Sequence, residues 1–231
     1  MVVDVERYGS LGGEEVAMTF DENSIAHIMS VLTDLYSDSE MAVLREYATN
    51  AYDSHVAAGV SKPIEVTLPT PLNPTLTITD YGVGMSKDDI VNIYSKYGAS
   101  TKRDTNEQTG TLGLGCKSAL TYTSQFKVTA IKDHVKTVVS VSRNVDGTGV
   151  MELVSSEYTS DGNGVSISVP VDNVSSMVEK AASFFRFWKT GTVLVDGVAP
   201  VAINGVSVTD NIILTSSLDH DIIVMGNVPY R

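Results

Sequence analysis

A stretch of ten residues, Leu44 to Asp53, reading Leu-Arg-Glu-Tyr-Ala-Thr-Asn-Ala-Tyr-Asp, constrains this chain more than any other. It lies inside a helix signal. Ser37 with Glu40 three residues on forms a capping box, and Gly59 supplies a C-terminal stop. Between them Met41, Leu44, Ala48, Ala51, Tyr52 and Val56 offer an apolar stripe to bury. Glu46, Asn50 and Asp53 are spaced four and then three apart, so they stand above one another on one helix face. Most polar stripes are simply solvated. A carboxylate one turn from an amide also suits the placing of a water beside a metal ion, and this stretch alone leaves both readings open.

A buried stripe needs a core, and 231 residues are enough for one large domain, or one domain and part of a second. A net charge of −12 disfavours a broad nucleic-acid-binding face, which requires clustered Lys and Arg. The single Cys116 excludes an intrachain disulfide framework and fits a reducing compartment. No apolar run approaches the roughly 18–20 residues of a membrane-spanning helix. Residues 1–15 are acidic, with no apolar centre, and do not read as a secretory signal. A cytoplasmic protein is expected.

Along the chain, residues 1–15 read as a mobile arm, Glu15 to Phe20 as a short strand and Asp21 to Tyr36 as a helix. Pro63 to Leu68 and Thr75 to Thr79 alternate with period two across a Pro-rich turn and predict a hairpin. Asp88 to Tyr97 and Cys116 to Thr123 predict helices, and Gly98 to Gly115 a long loop between them. Strands follow at Gln125 to Lys132, Lys136 to Arg143, Val150 to Ser156 and Gly164 to Pro170. Asp172 to Trp188 reads as an amphipathic helix, with Val174, Met177, Ala181, Phe184 and Phe185 on one side. Short strands and turns occupy the rest, and the end at Tyr230-Arg231, without a tail or helix stop, suggests a fragment of a longer protein.

Two further constellations carry chemistry. In Asp80-Tyr-Gly-Val-Gly-Met85, strand parity puts Asp80 on the buried side with Leu76 and Ile78. A carboxylate there needs a partner, and the exocyclic amine of a purine would serve. Gly82 and Gly84 allow a sharp turn and close approach to a flat ligand, and Met85 offers a polarisable surface for a ring. A tight Asp-Gly turn with no ligand would read the same way. In Gly110-Thr-Leu-Gly-Leu-Gly-Cys-Lys-Ser-Ala, the glycines Gly110, Gly113 and Gly115 free amides to cradle an anion ahead of a helix N-terminus. Lys117 carries the wrong charge for that end of the helix, a conflict that a polyphosphate would resolve. A flexible loop before an exposed lysine is the plain alternative. A P-loop does not fit, because Cys116 stands where its lysine should be.

In this order and spacing the three motifs resemble those of the ATP-binding domain shared by DNA gyrase, the heat-shock chaperones, histidine kinases and MutL: Glu-x-x-x-Asn-Ala-x-Asp, Asp-x-Gly-x-Gly-Met and Gly-x-x-Gly-x-Gly. The resemblance covers roughly residues 15–170. Gly98-Ala-Ser-Thr-Lys102 resembles that superfamily's lid segment, and the longer string from Gly98 to Ala119 looks most like the bacteriophage rIIA (rapid-lysis) branch. The resemblance implies a two-layer α/β sandwich of the Bergerat type: helices on one face of a mixed, largely antiparallel sheet. The ATP-binding domain would span 1–190, with the arm at 1–15 and the lid at 98–115, and 191–231 would form a strand-rich extension.

The resemblance also implies roles. Glu46 would be the general base and Asn50 the Mg²⁺ ligand. Asp80 would take the adenine amine, with Asp53 supporting the water network beside it and Met85 lining the ring. Lys102, Lys117, Ser118 and the glycine amides would hold phosphates. A fourth motif, usually a Gly-Thr step, is here Gly162-Asn163-Gly164-Val165, and Asn163 would take the place of the threonine. Histidine kinases tend to carry Asn where this chain has Glu46, so the resemblance points to water as the acceptor and to a slow Mg-dependent ATPase that dimerises when ATP is bound. Hydrolases of the superfamily usually add a phosphate-contacting lysine from a downstream domain, but here Lys189 is the last lysine. That absence keeps a rival reading open, a non-hydrolysing assembly module gated by nucleotide.

Overall fold

The computed structural model describes residues 38–94, 118–144, 149–209, 212–225 and 227–230. The arm, the strand and helix expected before residue 37, and the lid lie outside the described residues.

Helix α1 spans Ser39–Ala58 and ends on Gly59, whose left-handed backbone (φ 66°) closes the last turn with an amide bond back to Val56. The start differs from the expected capping box. Asp38 is the N-cap, and its Oδ1 accepts the Met41 amide at 3.0 Å. Glu40 has tertiary partners on other elements (below). The buried stripe is also rotated from the expected one. Val43, Leu44, Tyr47, Ala48, Ala51 and His55 face inward, while Val56 is 64% exposed. His55 turns toward the sheet for a hydrogen bond, and the next residue is carried about 100° round to the outside.

Among the described residues seven strands form the main sheet: β1 Ile64–Thr67, β2 Thr75–Asp80, β3 Gln125–Lys132, β4 Val135–Arg143, β5 Gly149–Tyr158, β6 Gly164–Pro170 and β7 Val193–Val195, in the order β5-β4-β3-β6-β2-β1-β7. Every neighbouring pair is antiparallel except β1 and β7, which run parallel. The hairpin of β1 and β2 pairs as the sequence predicts. β7 was legible only as one of several short strands. Its pairing with β1 extends the main sheet to Val195. Helices α2 Lys87–Tyr94, α3 Ala119–Tyr122 and α4 Val174–Phe185 complete the domain.

The sheet has two chemically different faces. Inward residues Leu76, Ile78, Phe126, Val128, Val139, Ile167 and Val169 pack into one core with α1 and with Met177, Ala181, Phe184 and Phe185 of α4. The opposite face carries a ladder of hydroxyls, with Thr79 and Ser166 at 2.9 Å and Thr77 donating to Ser168 at 3.4 Å. An antiparallel sheet with one wet face and one face under helices is the two-layer architecture expected. Two small ribbons follow, β8 Val206–Thr209 with β9 Ile212–Leu214, and β10 Ile223–Met225 with β11 Val228–Tyr230. Among the described residues no helix is long and apolar enough to cross a membrane.

A polar clamp fixes α1 against α4. Glu40, 8% exposed, accepts from Ser176 Oγ and from Tyr122 Oη, and Lys180 Nζ lies 2.9 Å from its Oε2 and 2.6 Å from Asp38 Oδ1. Burial pushes the Glu40 carboxyl up, but Ser176 and Lys180 together outweigh it and hold it below its usual range. Lys180→Ala should therefore cost about 1–2 kcal/mol, between an exposed pair and a fully buried one. A depressed carboxylate contributes above its unfolded pKa and loses that contribution as pH falls through its lower folded value. The loss should thus be full at pH 7 and shrink below about pH 4 in urea titrations. Equal midpoints at pH 7 would show the clamp to be solvated.

Candidate functional site

The row Glu46, Asn50 and Asp53 lies on α1 as spaced, each residue half-buried. Arg45 Nε stands 3.8 Å from Glu46 Oε1. One residue beyond Asp53, Ser54 ties this helix to the end of β2. Its hydroxyl donates to Asp80 Oδ1 at 3.1 Å and accepts from the Val83 amide at 3.1 Å.

Asp80 is 7% exposed at the inward end of β2, on the face of Leu76 and Ile78. Oδ1 also accepts the Gly82 amide at 2.9 Å, so both bonds fall on one carboxylate oxygen. Burial outweighs them and pushes the carboxyl up to about 6. A carboxylate offers about four acceptor positions, two on each oxygen. With both bonds on Oδ1, Oδ2 is left to accept from a donor outside.

The turn after Asp80 is held tightly. A Cβ on Gly82 would overlap Ser54, and one on Gly84, whose φ is +65°, would overlap the Ile131 carbonyl. Only glycine lets this turn lie between α1 and β3. Met85 is half-buried against the core. His55 closes the other side, with its Nε2 accepting the Tyr81 amide at 2.7 Å. Burial holds its imidazole below the usual range, so the ring is neutral and accepts.

At the beginning of α3, Ser118 is 1% exposed, and its hydroxyl has no hydrogen-bond partner among the described residues. The neighbouring Ala119 amide donates to Tyr47 Oη at 3.3 Å, which joins this helix to the residue beside Glu46. An orphaned buried hydroxyl at Ser118 and a spare acceptor at Asp80 fit a ligand with phosphate at one end and an amine at the other. Lys102, Gly110, Gly113, Gly115 and Lys117 lie outside the described residues. No group of three or more His, Cys, Asp or Glu is placed to hold a metal among the described residues. Asn50 as a lone protein ligand fits Mg²⁺, which is commonly bound through few protein groups, phosphate oxygens and water.

Asn163 is not brought to this site. It is exposed, and its Oδ1 accepts the Asp133 amide at 2.9 Å in the turn between β3 and β4. The residue registered opposite Asp80 is Val165, which carries no hydroxyl. Sequence reasoning missed Ser54, His55, Tyr47 and Val165. The register of β6 on β2 could have singled out Val165. A histidine in the last turn of a helix reads first as a cation for the dipole, and that signal hid an acceptor.

A two-layer α/β domain, with a helix-borne Glu-Asn-Asp row and a buried aspartate anchored at a glycine turn, defines a nucleotide-binding domain of the ATPase type. The family described as histidine kinase-, DNA gyrase B-, and HSP90-like ATPase matches residues 36–161, more than half of the chain. The chain belongs to that family. The matched span includes Glu46, Asp80 and Ser118 and stops before Asn163.

Proposed function

We propose that this domain binds ATP with Mg²⁺ and hydrolyses it slowly, with closure of a lid at 98–115 and dimerisation through the arm at 1–15. The observation that carries the reading is the remaining acceptor position on the buried Asp80 carboxylate, which suits the adenine amine. Asp53 supports the water network beside the base and Met85 lines the ring. Lys102, Lys117, Ser118 and the amides of Gly110, Gly113 and Gly115 hold the phosphates. Asn50 would hold Mg²⁺, whose charge offsets that of the phosphates when bound. Glu46 polarises the attacking water. Within this reading residues 1–190 form the ATP-binding domain and 191–231 an extension. The whole would stand at the N-terminus of a longer phage protein of the rIIA type, acting in the host cytoplasm.

The rival reading is a nucleotide-gated module that does not hydrolyse ATP. Within residues 190–231 no lysine is present to contact a phosphate, the feature that favours it for this domain taken alone. Calorimetric titration with Mg-ATP and Mg-ADP, paired with amide exchange over residues 98–115, tests the proposal. Saturable binding should accompany slowed exchange, with ADP protecting less than a non-hydrolysable ATP analogue if the γ-phosphate is the group on which the lid closes. Equal protection would remove the γ-phosphate from the switch, and no binding would sink the reading.

A further inference from the structure

We propose that His55 is a positioning residue for base recognition: its Nε2 lone pair sets the backbone that aims the Asp80 carboxylate. This deepens the ATP reading and rests on it. β2 ends at Asp80, where the register with β6 also ends, so the next amide has no strand to pair with. Tyr81 N–H instead donates to His55 Nε2 at 2.7 Å. An amide shielded from water and left unpaired is costly, and this half-buried one sits on the peptide that carries Asp80. Consecutive residues of α1 therefore divide the work, Ser54 gripping the carboxylate and His55 the main chain.

The imidazole is itself held from several sides. It is 5% exposed and lies 6.2 Å from the Tyr81 ring at a tilt of 41°. Lys62 Nζ in turn stands 3.2 Å from the centroid of that ring, with Glu65 Oε1 3.4 Å from the same amine. The strand-end residue Tyr81 thus packs against both the helix and the loop after α1. A ring fixed this way can set the direction of its neighbour's carboxylate, which a flexible side chain would do poorly.

Two amides test the idea, because each mimics one ring nitrogen. Glutamine carries an acceptor near the position of Nε2, and asparagine only near that of Nδ1. Affinities for ATP and ITP are measured in the parent, His55→Gln and His55→Asn, together with exchange of the Tyr81 amide in the absence of nucleotide. ITP lacks the exocyclic amine, so the ATP-to-ITP ratio reads the aim of Asp80, which a merely structural loss would leave alone. The parent and His55→Gln should prefer ATP and protect Tyr81. His55→Asn should speed Tyr81 exchange and cut the preference by about tenfold, the worth of one aimed hydrogen bond. An unchanged ratio in His55→Asn, or a collapsed one in His55→Gln, overturns the proposal. If His55→Asn does not fold, the ratio in His55→Gln decides. Should the parent itself bind ATP no better than ITP while still protecting Tyr81, the ATP reading of Asp80 falls and the role in base recognition falls with it.

Discussion

Asp80→Asn should abolish ATP binding and at the same time make the empty protein more stable. Asparagine keeps the oxygen that accepts from Gly82 and Ser54, so the turn survives. The remaining position changes from an acceptor to an N–H₂ donor, which faces the adenine amine with a mismatch. The stability gain follows from burial. A carboxyl raised from 3.8 to about 6 contributes stability that is full below pH 3.8 and lost as pH rises through about 6. At pH 8 the folded protein therefore holds an ionised carboxylate at a cost of about 3 kcal/mol, taking ~1.4 kcal/mol per pH unit. A neutral amide escapes that cost. Urea titrations of parent and variant should differ by that amount at pH 8 and converge near pH 4. ATP affinity of the parent should also weaken below about pH 6, as protonation removes the waiting acceptor. A variant no more stable than the parent at pH 8 would show the carboxylate to be solvated, and unchanged ATP affinity would place the base elsewhere.

The parts of the fold that repeat were legible. Period-two runs located six of the seven main strands to within a few residues, and α4 was visible from Met177, Ala181, Phe184 and Phe185, all of which are buried. What failed has tertiary causes. Ser37 and Glu40 satisfied the local pattern of a cap, but Ser176 and Lys180 are separated from Glu40 by more than a hundred residues and took its carboxylate. Val56 fitted the stripe, and it lost to His55 because a polar contact with the β2 turn set the rotation of the last helical turn. The parallel pairing of β7 with β1 left no trace in either segment, since two short apolar strands do not announce a partner.

At the site, Asp80 was legible because strand parity is rigid, and the structure buries it on the expected face. Gly82 and Gly84 were read as making room for a ligand, yet the atoms that a Cβ would strike belong to Ser54 and Ile131. These glycines bring protein to protein, and the ligand benefits only through the carboxylate so held. Asn163 was chosen for its chemistry, but register decides which residue faces Asp80, and that residue is Val165.

Glu46→Ala should leave Mg-ATP affinity within a few-fold of the parent and lower turnover by about 10²–10⁴, the usual worth of a positioned general base. The separation between binding and rate follows from where the residue stands. In the proposed reading base recognition falls to Asp80, Ser54 and the glycine turn, and Ser54 is eight residues along α1 from Glu46, or roughly 12 Å at 1.5 Å per residue. Removing Glu46 touches none of the hydrogen bonds that fix Asp80. Its own carboxylate is half-buried, with Arg45 Nε 3.8 Å away. Asn50, one turn further on, is unchanged in the variant and would still hold Mg²⁺ in the proposed reading. Single-turnover phosphate release under saturating Mg-ATP is the deciding measurement, because it separates the chemical step from product release. Equal rates in variant and parent would remove Glu46 as the base. A parent that binds ATP and releases no phosphate above buffer would instead favour the nucleotide-gated module, in which Glu46 helps to order the site without turning the nucleotide over.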